Sequence, residues 1–200
     1  MKHYKKNLKI LEDGHVYSKE MEHDACGVGL IASTEGKKSR KVVEYGINAL
    51  KAVWHRGAVD ADGKTGDGAG IHLEIPSDFF AEKIELTGHD HDGSEICVGM
   101  IFLPRNNYQA QENARTLVES ELTKSNFSIY GWRQVPVNPK VLGEKANLTR
   151  PEITQVLFKH NNKDLTEKEL ERKIYESRRK IEKEAIKDAI EGFYICSLSS

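Results

Sequence analysis

Apolar residues fall along this chain in short runs of strand character, separated by stretches in which they recur at helical spacing, and neither pattern repeats. Such a mixture, lacking a strict βαβ series, predicts sheets covered by helices in an α+β or layered α/β arrangement. Residues Cys26–Ala32 form a glycine-containing apolar run that suits a buried strand, and Ser33–Ser39 is a polar turn. From Lys41, the spacing of Val43, Ile47, Leu50 and Trp54 predicts a helix that Gly57 closes. Gly63–Gly70 must be a loop. Ile71–Ile75 alternates apolar and polar residues and reads as a half-buried strand ending at Pro76, after which Ser77 caps a helix to about Leu86. Beyond the Gly88–Gly93 loop, strands are predicted at Ile96–Leu103, Phe127–Val137, Ile153–Phe158 and Phe193–Leu198. Helices are predicted at Gln109–Lys124 and from a Thr166 cap to about Ile190, with Leu170, Ile174, Ile181, Ala185 and Ala189 on one face. The sequence stops directly after the last apolar strand, which reads as a domain cut short at its C-terminal end.

At 200 residues, 38% hydrophobic and 30% charged, the chain suits one sizeable globular domain, or a domain and a fragment. A net charge of -1 gives no electrostatic reason to expect a nucleic-acid or membrane-surface partner. The longest apolar runs, such as Val28–Ala32, are far too short to span a bilayer. Lys2, Lys5, Lys6 and Lys9 make the N-terminus basic, but no apolar segment of signal-peptide length follows them, so a cytoplasmic protein is expected. The three cysteines, Cys26, Cys97 and Cys196, are odd in number and widely spaced, which argues against a disulfide framework and against a zinc site built from cysteines. Cys97 and Cys196 sit inside strand-like runs and are expected to be small buried hydrophobes.

Cys26 has different neighbours. In Asp24-Ala25-Cys26-Gly27-Val28-Gly29 the glycine leaves space around sulfur and lets backbone approach a ligand. Were the chain cut between Ala25 and Cys26, the freed α-amine, with an ordinary pKa of about 7.7–8.0, would stand beside the thiol as a general base. Taken alone, the motif reads more simply as a buried thiol. Arg56, next to Gly57 at a helix end, is placed to bind a carboxylate across a cleft or merely to sit solvated at the helix C-terminus. The stretch Asp60–Gly70 is not a phosphate loop, since Gly57 to Gly63-Lys64-Thr65 has one residue too many and follows a helix. It is not a calcium loop either, because Lys64 and Thr65 fall on the next ligand and glycine positions. What remains is a glycine-rich active-site loop or a plain surface turn. His89-Asp90-His91-Asp92 reads as a solvated turn rather than a metal site, and residues 163–188 as a charge-balanced exposed helix face.

Together the segments resemble a family. Asp24–Gly29, Leu50 through His55-Arg56-Gly57-Ala58, and Thr65-Gly66-Asp67-Gly68-Ala69-Gly70 occur in the order found in the large subunit of glutamate synthases. Gly131-Trp132-Arg133 leading to Val135-Pro136-Val137 is similar to that family, as is Tyr194–Ser200, and the resemblance runs from about residue 18 to the last residue. The Cys-Gly and His-Arg-Gly pieces are shared by class II glutamine amidotransferases generally; Thr65–Gly70 and the Gly-Trp-Arg segment point to glutamate synthase.

The resemblance implies an N-terminal-nucleophile hydrolase fold, a four-layer αββα sandwich with Cys26 at the start of an inner strand. It implies that residues 1–25 are a prosegment and that 26–200 is the N-terminal part of a class II glutamine amidotransferase domain. Cys26 would be the nucleophile that hydrolyses L-glutamine through a thioester, Arg56 a substrate-binding residue, Gly27 a backbone contact, and Asp67 and Gly68 a loop near the site. No metal is expected in this chain. The full-length relatives imply FMN, an iron–sulfur cluster, downstream synthase domains using ammonia on 2-oxoglutarate, and an electron-donating small subunit or ferredoxin. The family's oxyanion-hole Asn-Gly pair has no counterpart here: Asn106-Asn107 and Asn161-Asn162 lack the glycine. Two other readings stay open, another class II amidotransferase and a non-catalytic truncated fragment.

Overall fold

The computed structural model describes residues 27–54 and 57–200, together with Lys6, Lys9 and Ile10, which are helical. The chain divides into two compact units, Met1–Val59 with Gly66–Ile71, and Asp60–Thr65 with His72–Ser200.

The larger unit is built on a four-stranded antiparallel sheet in the order β2-β3-β1-β4, from β1 (Cys97–Leu103), β2 (Phe127–Gln134), β3 (Glu152–His160) and β4 (Tyr194–Ser199). Alternation along each strand decides which side chains enter the core. Cys97, Ile101 and Leu103 of β1, Val156 and Phe158 of β3, Phe127 of β2 and Ile195 and Leu198 of β4 share one face. Two helices cover it, α3 (Tyr108–Lys124) through Ala114, Val118 and Leu122, and α5 (Glu167–Lys187) through Leu170, Ile174 and Ile181. Both begin where the sequence supplies a cap. The Asn107 side chain accepts from Ala110 N, and Thr166 and Glu169 form a reciprocal capping box. The outer side of α5 carries Arg172–Glu176, Arg178–Glu182 and Lys187–Glu184 ion pairs, the balanced face read from its composition.

On the opposite face of the sheet Val98, Leu157 and Tyr130 pack with Ile96 and with Phe80 and Ile84 of α2 (Ser77–Glu85). That cover is partial. Register places Phe102, Ile153 and Tyr194 side by side on this face, where Phe102 and Ile153 are half-buried and Tyr194 is 58% exposed.

The smaller unit holds α1 (Arg40–Ala52), whose Val43, Ile47 and Leu50 are only half-buried and which has no fully buried residue among those described. Ile71 packs on it at Gly46, where an added Cβ would stand 3.1 Å from the Ile71 side chain.

Several expectations are corrected. Gly27–Ala32 is not a strand: Val28 and Leu30 are 90% and 89% exposed, and no neighbouring strand among the described residues takes their backbone bonds. A five-residue apolar run holds β geometry only where a sheet accepts it. Ile71–Ile75 lacks strand pairing for the same reason, and Pro76, not Ser77, stands at the cap position of α2, with no side-chain cap. Cys97 is buried as expected, but Cys196 is exposed. It is the extra residue at the β4 irregularity, where Ile101 faces Ile195 and Met100 faces Ser197, so nothing opposes it. A 3-10 turn at Pro139–Val141 and the short helix α4 (Glu144–Thr149) carry no apolar period and were not foreseen.

Candidate active site

The glycine-rich loop is held by its own polar groups. In the smaller unit Val59 and Gly66 form an antiparallel bridge, Asp67 N donates to Ala58 O at 3.3 Å, and Ala58 N donates to Asp67 Oδ2 at 2.8 Å. The Asp67 carboxylate thus lies against the Gly57–Ala58 backbone, and a Cβ on Gly57 would stand 3.9 Å from Oδ2. Gly66 is required by close approach, because a Cβ there would meet Ala58 O at 2.8 Å.

In the larger unit the turn Asp60–Thr65 closes on itself, with Asp60 N bonded to Thr65 O at 2.7 Å and Gly63 N to Asp60 O at 2.9 Å. Asp62 accepts from Thr65 Oγ1 at 2.6 Å, Thr65 N at 2.7 Å and Lys64 N at 2.9 Å. These bonds, the Thr65 hydroxyl foremost, hold its carboxyl well below the usual carboxylate range. Asp60 is paired with Lys145 Nζ at 2.8 Å. Both carboxylates are therefore engaged within the protein. Gly143 admits the turn, since a Cβ there would fall 2.2 Å from Thr65 Oγ1 and 2.4 Å from Asp62 Oδ2.

Of the site residues named from sequence, Cys26 and Arg56 lie outside the described residues, as does nearly all of the 1–25 segment. Gly27 lies in exposed, irregular chain. Asp67 is bonded as above, and Gly68 has open space around it, with nothing within 4 Å of a would-be Cβ.

The Gly131-Trp132-Arg133 segment is a structural bolt. Trp132 Nε1 donates to Glu119 of α3 at 2.6 Å, while Arg133 donates to Gln155 at 2.6 Å and lies over the Phe79 ring of α2 at 5.3 Å. The asparagines are equally engaged: Asn107 caps α3, and Asn161 accepts from Ser128 Oγ at 2.6 Å and donates to Asn126 Oδ1 at 3.2 Å. The His89–Asp92 turn is more ordered than its composition suggests. His91 Nε2 bonds Ser94 O at 2.8 Å, and Asp92 pairs with Lys159 at 2.8 Å and Lys163 at 3.0 Å. Lys159 foremost, then Ser94 and Lys163, holds the Asp92 carboxyl far below its ordinary value. Among the described residues no three His, Cys, Asp or Glu side chains come together as metal ligands. Burial raises the Cys97 thiol well above its ordinary value, which keeps it protonated and inert. No helix among the described residues is long and apolar enough to cross a membrane.

Residues 26–200 match the family described as glutamine amidotransferases class-II. The chain belongs to this family. Among its relatives, the large chain of the glutamate synthase [NADPH] of Azospirillum brasilense is 52% identical over 98% of this chain. The ferredoxin-dependent glutamate synthase of Pyropia yezoensis is 37% identical over 96% of it, and ferredoxin-dependent glutamate synthase 2 of Synechocystis is 39% identical over 89%. The chain spans only 13%, 12% and 11% of the lengths of those three proteins.

Proposed function

We propose that this chain is the glutaminase part of a glutamate synthase, which hydrolyses L-glutamine to glutamate and ammonia. The observation that carries the proposal is 52% identity to a glutamate synthase large chain over 98% of this chain. The family match that starts at residue 26 supports a boundary at Ala25–Cys26, with residues 1–25 a prosegment and Cys26 the first residue of the working domain.

In this reading the Cys26 thiol attacks the side-chain amide carbon of glutamine. The α-amine freed by cleavage takes the thiol proton and returns one to the departing nitrogen, which leaves as ammonia. Water then hydrolyses the γ-glutamyl thioester and releases glutamate. Arg56 binds the substrate carboxylate, Gly27 offers adjacent backbone, and the Asp67-Gly68 loop borders the site. The finer architecture belongs to the same proposal, an αββα sandwich. The partly uncovered sheet face bearing Phe102, Ile153 and Tyr194 supports it, because a second sheet would bury what the helices leave open.

In the complete protein, ammonia passes to 2-oxoglutarate in downstream synthase domains supplied with electrons by a small subunit or ferredoxin. In this reading FMN and an iron–sulfur cluster belong to those downstream domains. A reducing, cytoplasmic setting suits a catalytic thiol.

Two measurements test the proposal. Intact mass of the protein isolated from its own cells should show a chain beginning at Cys26; a persistent Met1 start with full glutaminase activity would remove the α-amine from the mechanism. Arg56→Ala should lower kcat/KM for glutamine about ten- to a hundredfold, the loss of a charge-assisted bond of roughly 1.5–3 kcal/mol. Unchanged kinetics would remove Arg56 from the site.

A further inference from the structure

Three Asp-Gly pairs lie among the described residues, Asp62-Gly63, Asp67-Gly68 and Asp92-Gly93; a fourth, Asp13-Gly14, lies outside them. In such a pair the glycine nitrogen can attack the aspartyl carboxyl, because glycine has no side chain to shield it and a freely turning backbone. We propose that, of these three, Asp67 is the one that isomerises in the folded protein, which makes the glycine-rich loop a site of spontaneous isoaspartate formation. The inference is independent of the glutaminase reading.

The reaction needs only the chain and water. Gly68 N bonds to Asp67 Cγ, and the carboxyl hydroxyl leaves with the amide proton as water, giving a five-membered succinimide. Water then opens the ring at either carbonyl. Attack at the side-chain carbonyl restores aspartate. Attack at the backbone carbonyl breaks the bond from Asp67 C to Gly68 N, so the chain runs through Cβ and Cγ and a free α-carboxyl remains.

Ring closure requires a carboxyl that can take up a proton and a glycine nitrogen free to turn onto it. Asp62 meets neither condition. Thr65 Oγ1, Thr65 N and Lys64 N all donate to its carboxylate and keep it ionised, and Gly63 N is itself bonded to Asp60 O at 2.9 Å. Asp92 fails on the first condition, held ionised by Lys159 at 2.8 Å, Lys163 at 3.0 Å and Ser94 N at 3.1 Å. Asp67 differs from both. Its carboxylate accepts from Ala58 N alone among the described residues, and Gly68 N donates to none of them. Gly68 is exposed, with nothing within 4 Å of a would-be Cβ, so the turn that closes the ring meets no neighbour. The product carries an extra methylene in its backbone, and the paired bonds between Asp67 and Ala58 depend on ordinary spacing there. Isomerisation therefore loosens this loop as the protein ages.

Trypsin cuts after Arg56, Lys64, Lys83 and Arg105, which puts the three pairs on separate peptides, 57–64, 65–83 and 84–105. The complete protein is aged in warm, mildly acidic buffer and digested, and isoaspartate in each peptide is measured by methylation with an isoaspartyl methyltransferase and S-adenosylmethionine. Peptide 65–83 should carry at least about tenfold more than either other peptide, since a carboxyl whose pKa is lower by one is protonated about tenfold less often. In urea the three should become comparable. Gly68→Ala, which the open space accommodates, should cut the 65–83 signal severalfold by shielding the nitrogen. Thr65→Val, which removes a hydroxyl from Asp62, should raise the 57–64 signal. Equal isoaspartate in the three peptides of the folded protein, or none in 65–83, would overturn the proposal. A preference for 65–83 that persists in urea would overturn it too, because sequence and not the fold would then set the rate.

Discussion

In the unit built on the sheet, α3 and α5 each bury five residues, and Phe127, Phe158 and Leu122 are at or below 1% exposure. In the unit that carries Gly27 and the Ala58–Asp67 contacts, α1 buries none among the described residues, and the loop is held by a single bridge, one carboxylate and glycines that permit close approach. The first region is specified by apolar volume, the second by hydrogen bonds between residues near in sequence. Segments with few buried contacts open most easily, and binding sites are commonly drawn from them. Substitutions should therefore act on stability in one region and on substrate handling in the other.

The largest expected stability effect is at Phe158, fully buried against Phe127 with ring centroids 5.3 Å apart. Phe158→Ala should cost roughly 3–5 kcal/mol in urea unfolding; a loss below about 1 kcal/mol would break the comparison. Thr166→Ala removes one half of the capping box on α5 and should cost about 1 kcal/mol in the same assay, restored in large part by Ser. Val28→Ala and Leu30→Ala, at 90% and 89% exposure, should change the stability of this chain by no more than about 0.5 kcal/mol. A core-sized cost at either in the complete protein would show that a further sheet covers them there. The smallest effect is an acid one. Asp92 has a folded-state pKa far below the ordinary carboxylate value of about 3.9, so its pairing stabilises above that pH and is lost as pH falls below it. Lys159→Met should weaken this acid-side dependence by lowering stability slightly at neutral pH while leaving it nearly unchanged at strongly acid pH, where the pairing is already lost.

Legibility followed the same division only in part. Helices α3 and α5 and all four strands of the sheet could be read from period and caps, because burial and apolar spacing agree there, and α1 from its apolar period although it buries no residue among those described. The runs at Gly27–Ala32 and Ile71–Ile75 look like strands by composition, yet a strand needs a neighbour for its backbone, and composition does not say whether one is present. Cys196 was misread for a related reason: its strand-like apolar run suggested burial, but it follows core Ile195 as the extra residue at the bulge opposite Met100 and Ile101, and is exposed. At the candidate site the cysteine and arginine were named by motif, whereas the bond between Asp67 and Ala58 N, nine residues apart, had no signal beyond an aspartate in a glycine-rich loop.

The central claim is that Cys26 is the glutamine-attacking nucleophile, and covalent labelling tests it most directly. The complete protein would be treated with a chloroketone analogue of glutamine and its adduct located by peptide mass spectrometry. The account predicts modification at Cys26 that glutamine blocks and Cys26→Ala abolishes, with buried Cys97 untouched and exposed Cys196 modified only by non-selective alkylators. Glutamine-protectable labelling that persists in Cys26→Ala, or glutaminase activity with Cys26 unmodified, would contradict it.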